Sequence, residues 1–263
     1  MKAWHWTDGW KLSDGRKLVA GKTYTHVGPL VPCVSGLHGS ARLLDSLCGA
    51  AGAIVSRVEF AGSVIAGYPN SVARRRTVLW AVDAKSVLYE FACRCAEDAL
   101  ALVGAPDPRS VAAVAAKRMW LRGEIDDAEL DAARDAAWEA VIAAPVSPPV
   151  TEADVINAIK ANAAPSATVA ARGAAMAAMA AAHYAAKTAW RAGEAAIDAA
   201  WRAASDASIV PMSLEIAVAA RPGRVSPVDL LSDARNAAKA RQNRRLTAMV
   251  CALRRPGDDS RRV

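Results

Sequence analysis

The residues whose types and spacing best suit chemistry lie within residues 31–40, which read VPCVSGLHGS. Cys33 and His38 could act as nucleophile and general base if the connection between them folded back on itself. Backbone amides near Gly36 and Gly39 could bind an anion at the start of a following helix, where the helix dipole favours negative charge. The same run also suits a structural loop whose histidine caps or plugs a sheet. Cys33 and His38 are therefore the candidate catalytic pair of a transferase-like enzyme.

Two arginine-rich stretches suit phosphate binding instead. Arg74–Arg76 lie between strand-like runs, where they either contact phosphate groups or form a solvated sheet edge that discourages strand pairing. The final predicted helix carries Arg241, Arg244 and Arg245, within a C-terminal stretch that has 11 basic and 4 acidic residues from Arg221 onward. That excess equals the net charge of +7 of the whole chain, and it suits a nucleic acid, an acidic protein surface or simple solubility.

Other chemistries lack the residues that they need. Cys93 and Cys95 are two residues apart, so on a helix their side chains diverge by about 200°, which disfavours a shared metal ion. The four histidines form no cluster with ligand spacing, and no P-loop, dinucleotide fingerprint or nucleophile elbow occurs. We therefore predict no metal and no cofactor, and we expect binding rather than catalysis.

A change of period divides the elements that must position these residues. Short alternating runs with turn residues between them predict a sheet whose strands include Lys2–Trp6, Leu30–Val34, Ala53–Ala61 and Thr77–Val82. The helical period from residue 84 onward predicts helices at residues 83–103, 109–122, 126–144, 166–208 and 226–253. The predicted fold class is α+β, with a small mixed sheet domain at residues 1–83 and an Ala-rich α-helical bundle at residues 84–255. Residues 145–150 are a predicted linker, and residues 256–263 a predicted frayed tail.

The longest predicted helix, Ser166–Ser208, has no proline and is dominated by alanine, the best helix former. Bulky side chains recur in it at intervals of seven, at Val169, Met176, His183, Trp190 and Ile197. The opposite side is mostly alanine, so a neighbouring helix can approach closely. Because tryptophan and arginine anchor protein interfaces, Trp190 and Trp201 join the six arginines named above as candidate binding residues.

Cysteine usage and hydropathy predict the compartment. The five cysteines have no spacing typical of a disulfide framework, which indicates a reducing environment. The first ten residues are polar and aromatic, unlike a secretory signal, and the uncharged run Gly173–Ala186 is shorter than the ~20 residues that span a bilayer. We therefore expect a soluble, cytoplasmic protein without a membrane partner.

The run CVSGLH at residues 33–38, followed by LLDSL at residues 43–47, resembles the N-terminal domain of unknown function of many phage and prophage proteins. The resemblance covers roughly the first 85 residues, including Ile54–Glu59 and Arg76–Val82. That family commonly has alanine after the histidine, where this chain has Gly39. The resemblance implies a phage or prophage origin, and it implies no assigned reaction or catalytic residue.

A second, weaker resemblance lies in the helical part. Residues 91–138, through Arg94–Glu97, Asp107–Ser110 and Arg122–Glu124, are similar to helical immunity proteins against bacterial toxins. The sequence therefore predicts a phage-encoded or prophage-encoded accessory protein that binds a host macromolecule. A host protein is the favoured partner. The alternatives are a nucleic-acid-binding protein acting through the basic C-terminal helix, a virion structural component, and the enzyme centred on Cys33 and His38. A homo-oligomer is compatible with each of them.

Overall fold

The structure, a computed structural model, describes residues 1–47, 50–101, 105–143, 175–179, 181–182 and 227–254. These residues form two compact units. The first contains residues 1–88 and 243–254, and the second contains the other described residues between 89 and 242. The predicted linker 145–150, the tail 256–263 and most of the predicted helix 166–208, including Trp190 and Trp201, lie outside the described residues.

An antiparallel sheet makes up most of the first unit. Its strands are β1 (Lys2–Thr7), β2 (Thr23–Thr25), β3 (Leu37–Gly39), β4 (Ile54–Ile65) and β5 (Ser71–Asp83). β4 lies between β1 and β5, while β2 and β3 pair with successive stretches of β5. Helices follow this sheet, and the predicted α+β class is confirmed.

The sheet curls back on itself through Ser40, directly after β3. The amide of Trp4 on β1 donates to the Ser40 carbonyl at 2.8 Å, and the Ser40 amide donates to the Trp4 carbonyl at 2.9 Å. Because β3 also pairs with β5, this bridge connects the two sides of the sheet. At Gly39 a Cβ atom would come within 3.0 Å of the Trp4 carbonyl oxygen and of the Phe60 ring. Glycine therefore permits the close approach that closes the sheet.

The inner face of the curled sheet holds the core of the first unit. Side chains alternate between the two faces of a strand, so every second residue of β4 points inward. The buried apolar cluster consists of Ala3, Leu12, Leu18, Tyr24, Leu37, Ile54, Val58, Phe60, Ala73 and Val78. Leu12 and Leu18 come from the long connection between β1 and β2, which therefore packs against the sheet.

The main helices of the described residues are α1 (Leu43–Ser46), α2 (Lys85–Ala101), α3 (Pro108–Leu121), α4 (Asp127–Ala143) and α5 (Pro227–Ala252). Residues 175–179 and 181–182 are also helical. Local capping explains where α3 and α4 begin. Asp107 accepts a hydrogen bond from the Arg109 amide at 2.9 Å, with proline as the first residue of the helix. Asp126 and Glu129 bond each other's amides as a reciprocal capping box.

The end of α5, from Asn243 onward, belongs to the first unit and contacts its sheet and α1. Trp4, Arg57 and Trp80 lie side by side on β1, β4 and β5, on the face opposite the core. The Arg57 guanidinium lies 4.5 Å from the Trp4 ring, and that of Arg254 lies 5.9 Å from the Trp80 ring. Asn243 also accepts a hydrogen bond from the backbone of α1 at 3.0 Å. These contacts group the end of α5 with the sheet, although the sequence assigned the whole helix to the helical domain.

The second unit is built on small side chains. Ala113 on α3, with Leu130 and Ala137 on α4, forms a buried cluster with Ala182. Alanine at such contacts lets helix axes approach closely. Arg118 on α3 forms ion pairs with two glutamates of α2, Glu90 and Glu97, which joins these helices on the polar side.

Candidate functional site

The predicted Cys33–His38 segment borders a cleft of about 640 Å³ in the first unit. Its walls come from β1, the connection after β1, the segment around β3, the end of α1 and the turn before β5. The lining residues are Trp4, His5, Trp6, Thr7, Asp8, Lys11, Leu12, Ser13, Gly15, Cys33, His38, Gly39, Ser46, Ala51 and Asn70. The cleft therefore combines aromatic, imidazole, thiol, ammonium and carboxylate groups.

Cys33 is exposed and lies in a tight turn, with a backbone φ of +63°. The Ser35 amide donates to the Val31 carbonyl at 2.8 Å, which closes this turn. The strand predicted at Leu30–Val34 is therefore wrong, since Pro32 and the turn prevent an extended run. Cys33 and His38 line the same cleft, but no hydrogen bond joins them among the described residues.

His38 lies on β3, opposite Val72 of β5, and its side chain is half-buried. Burial and the positive charge of Arg76 lower the pKa of His38, and contacts with the backbone of Gly36 and Val31 oppose this shift in part. The imidazole is therefore neutral at pH 7 and able to accept a proton. Its Nε2 atom is buried and has no hydrogen-bond partner among the described residues.

His5 on β1 is a second histidine of the cleft, and our sequence analysis did not select it. Burial lowers the pKa of His5 well below its usual value, with further contributions from the charge of Arg76 and from His38. Its Nδ1 atom is buried without a described partner, as is the Nε2 atom of His38. Alternation places His5 on the opposite face of β1 from Trp4 and Trp6, and two tryptophans on one face predict that this face is the core, so no local signal would have selected His5.

The three arginines Arg74–Arg76 lie on β5 and differ in exposure, so they do not form one surface. The run lies inside the strand, not between strands as the sequence suggested, because β5 begins at Ser71. Arg75 is exposed, whereas Arg74 donates to the Gly28 carbonyl at 2.9 Å. Arg76 is only 3% exposed and donates to the His38 carbonyl at 2.8 Å. The three arginines therefore cannot form a single phosphate-binding patch.

The basic face of α5 is partly exposed. Arg241 and Arg244 are exposed, and Arg245 is half-buried. Gln242, Leu246 and Val250 are buried on the packed side of the helix. Two of the three predicted arginines of α5 are thus accessible to a polyanion, while the candidate binding residues Trp190 and Trp201 lie outside the described residues.

The connection between β2 and β3 exposes apolar side chains, and we call residues 26–36 the valine loop. Val27 is 90% exposed and Val34 is 79% exposed. The loop is held by polar contacts with Arg74 and by Ser35, whose hydroxyl donates to the Pro29 carbonyl at 3.0 Å. The Ser35 hydroxyl also lies 3.0 Å from Nε2 of His26. These internal contacts order the loop, so its valines are presented in a defined conformation.

Comparisons with protein-family models, with curated proteins and with solved structures found no match to this chain. Among the described residues, no group of three or more histidine, cysteine or carboxylate side chains is placed to hold a metal ion. In the same part of the chain, no helix combines the length and the apolar character needed to cross a membrane.

Proposed function

We propose that this chain is an accessory protein of phage or prophage origin that binds a host protein through the valine loop. The resemblance of the first 85 residues to phage proteins supports the origin. The exposure of Val27 and Val34 in an ordered loop is the observation that carries the binding function.

The valine loop suits recognition because it exposes apolar surface without needing to reorganise. Fully burying a valine side chain against a partner contributes about 1.5–3 kcal/mol. A loop already fixed by Arg74 and Ser35 loses little conformational entropy on binding. Two such valines are enough to alter the affinity for a partner by more than tenfold.

The test replaces the two most exposed valines of the loop with glutamate, as V27E/V34E. We expect the tagged wild-type chain to retain one host protein at equimolar amount. The double variant should lose at least about a hundredfold in affinity, because two charges replace buried apolar contacts. Val111→Glu on α3 is the matched control, because Val111 is also exposed, at 46%. Unchanged binding by V27E/V34E would disprove the role of the loop.

A nucleic-acid-binding function is the second candidate, and the exposure of Arg241 and Arg244 favours it. Phosphate contacts release counterions, so the affinity for DNA or RNA should fall steeply as salt rises. The double variant R241Q/R244Q should then bind less tightly with a smaller salt dependence. Arg75→Gln is the control, since Arg75 is an exposed arginine on a different element. Absence of binding to both nucleic acids at low salt would eliminate this candidate.

An enzymatic function is the third candidate, because Cys33 and His38 share their cleft with the carboxylate of Asp8. An exposed thiol and a neutral imidazole in one cleft are groups that covalent group transfer can use. The intact mass of the protein isolated from its bacterial host should then show an adduct on Cys33 that Cys33→Ser lacks. An unmodified wild-type mass, together with unchanged biological effect of Cys33→Ser, would contradict it.

A further inference from the structure

The first unit contains a buried cation beside the cleft that the proposed function does not use. Arg76 is 3% exposed, and its Nη1 atom donates to the His38 carbonyl at 2.8 Å. The positive charge of Arg76 also lowers the pKa of both His38 and His5. His5 and His38 line the cleft, and the hydrogen bond from Arg76 to the His38 carbonyl places the guanidinium group next to β3.

Among the described residues, Arg76 lacks a hydrogen-bond acceptor for one of its N–H groups. Nε of the Arg76 guanidinium can only donate a hydrogen bond, and it is buried without a described partner. Buried guanidinium groups normally pair with carboxylates, since an unpaired buried charge is costly. None of the ion pairs among the described residues includes Arg76. Asp14 acts on Arg76 only at a distance, because its carboxylate is bound to Arg16.

Each of the two histidines also has one buried ring nitrogen without a described partner, which can donate to a bound anion once the imidazole is protonated. Nδ1 of His5 and Nε2 of His38 have no described partner, and both residues line the cleft wall. Lys11 adds an ammonium group to the lining and Asp8 adds one carboxylate. Other titratable groups near Arg76 and the two histidines are Cys33, which lines the cleft, and Asp14, Arg16 and Tyr24, whose charges act on Arg76.

We infer that the cleft binds an oxyanion, the phosphate or carboxylate group of a small molecule, with His5, His38 and Lys11 as contacts and Arg76 as the buried countercharge. An oxyanion supplies the acceptor that Nε of Arg76 lacks, and its negative charge balances the guanidinium and favours protonation of the two imidazoles, whose open nitrogens can then donate to it. A metal cation fits less well, because Arg76 repels it from the two imidazoles. The cleft of about 640 Å³ has room for a molecule larger than the anion itself.

Inorganic phosphate and acetate, each titrated at constant ionic strength, are the probes. The readout is the ring NMR signals of the histidines in the full chain. We expect one of the probes to shift the signals of His5 and His38 saturably and to raise the pKa of both, because an anion stabilises the imidazolium. His26, in the valine loop, should not respond. Saturable shifts with phosphate but not with acetate indicate a phosphate ligand. Saturable shifts with acetate but not with phosphate indicate a carboxylate ligand.

Arg76→Gln tests the countercharge, and Arg75→Gln is the matched control. Both remove one arginine from neighbouring positions of β5, but Arg75 is exposed and Arg76 buried. We expect Arg76→Gln to weaken anion binding by at least about tenfold and Arg75→Gln by less than about twofold. Equal effects of both substitutions would overturn the proposal. So would linear, unsaturated shifts of His5 and His38 with both anions in the wild-type chain, a result that does not depend on how Arg76→Gln folds.

Discussion

Lys117 on α3 offers a direct measurement of the cost of a buried charge in the helical unit. Its side chain is fully buried, and the ammonium lies 4.0 Å from the ring centres of both Tyr89 and Trp120. Burial lowers the pKa of Lys117 to about 8, against smaller opposing effects of Cys93 and Asp127. The perturbation is Lys117→Met, which keeps most of the volume and removes the titrating group.

The direction in which pH changes the free energy of unfolding follows from how many protons the folded and unfolded chains bind. Between pH 8 and pH 10.5 the unfolded chain holds the Lys117 proton and the folded chain does not, so raising the pH favours the folded state. From pH 7 to pH 10 this linkage raises the free energy of unfolding of the wild type, relative to Lys117→Met, by about 2–3 kcal/mol. Ionisation of Cys93 and Tyr89, both with a pKa raised to about 12, acts in the opposite direction in both proteins. Only the difference between the proteins therefore reports on Lys117.

The assay is urea denaturation of the wild type and of Lys117→Met at several pH values from 7 to 10, followed by tryptophan fluorescence. We expect the free energy of unfolding of Lys117→Met, measured relative to that of the wild type, to be higher at pH 7 than at pH 10. It should decrease steadily as the pH rises. Lys2→Met is the control, because Lys2 is exposed. A stability difference that does not change with pH would refute the argument that Lys117 is a desolvated cation.

Two further predictions concern the first unit. Gly36→Ala should destabilise the fold by at least about 2 kcal/mol in thermal denaturation, because a Cβ atom would lie 2.2 Å from the Val72 side chain. Gly15→Ala, also at positive φ but in open space, should cost less; equal losses would contradict the steric argument. Stability should fall as the pH drops below about 6.5, since burial lowers the pKa of His5 and the unfolded chain binds the proton first. In acid denaturation, His5→Gln should lose less stability than the wild type as the pH falls. If stability depends on pH in the same way in both proteins, His5 is not the source of the loss.

The helices followed from the sequence because their signals are local. The prediction 126–144 compares with Asp127–Ala143 in α4, and the acidic first turn that suggested its start forms the capping box of Asp126 and Glu129. Asp83 likewise accepts a hydrogen bond from the Lys85 amide where α2 begins. Such interactions span a few residues, so the sequence contains them in full.

The limits of β5 depended on pairing that the sequence does not show. The run Arg74–Arg76 is polar, and it suggested a break before Thr77. In the structure β5 starts at Ser71, because it pairs with β4 on one side and with β2 and β3 on the other. β4 is the preceding strand, but β2 and β3 are remote in sequence from the arginines, so the pairing on that side of β5 left no local pattern.

The sequence by itself determined the α+β class, the helix starts and the choice of Cys33 and His38 as residues of interest. Tertiary structure alone decided that these two line one cleft, that His5 joins them and that Arg76 is buried while Arg75 is exposed. The physical reason is that helix propensity and capping act between neighbours, whereas burial and electrostatic environment arise when distant strands pair.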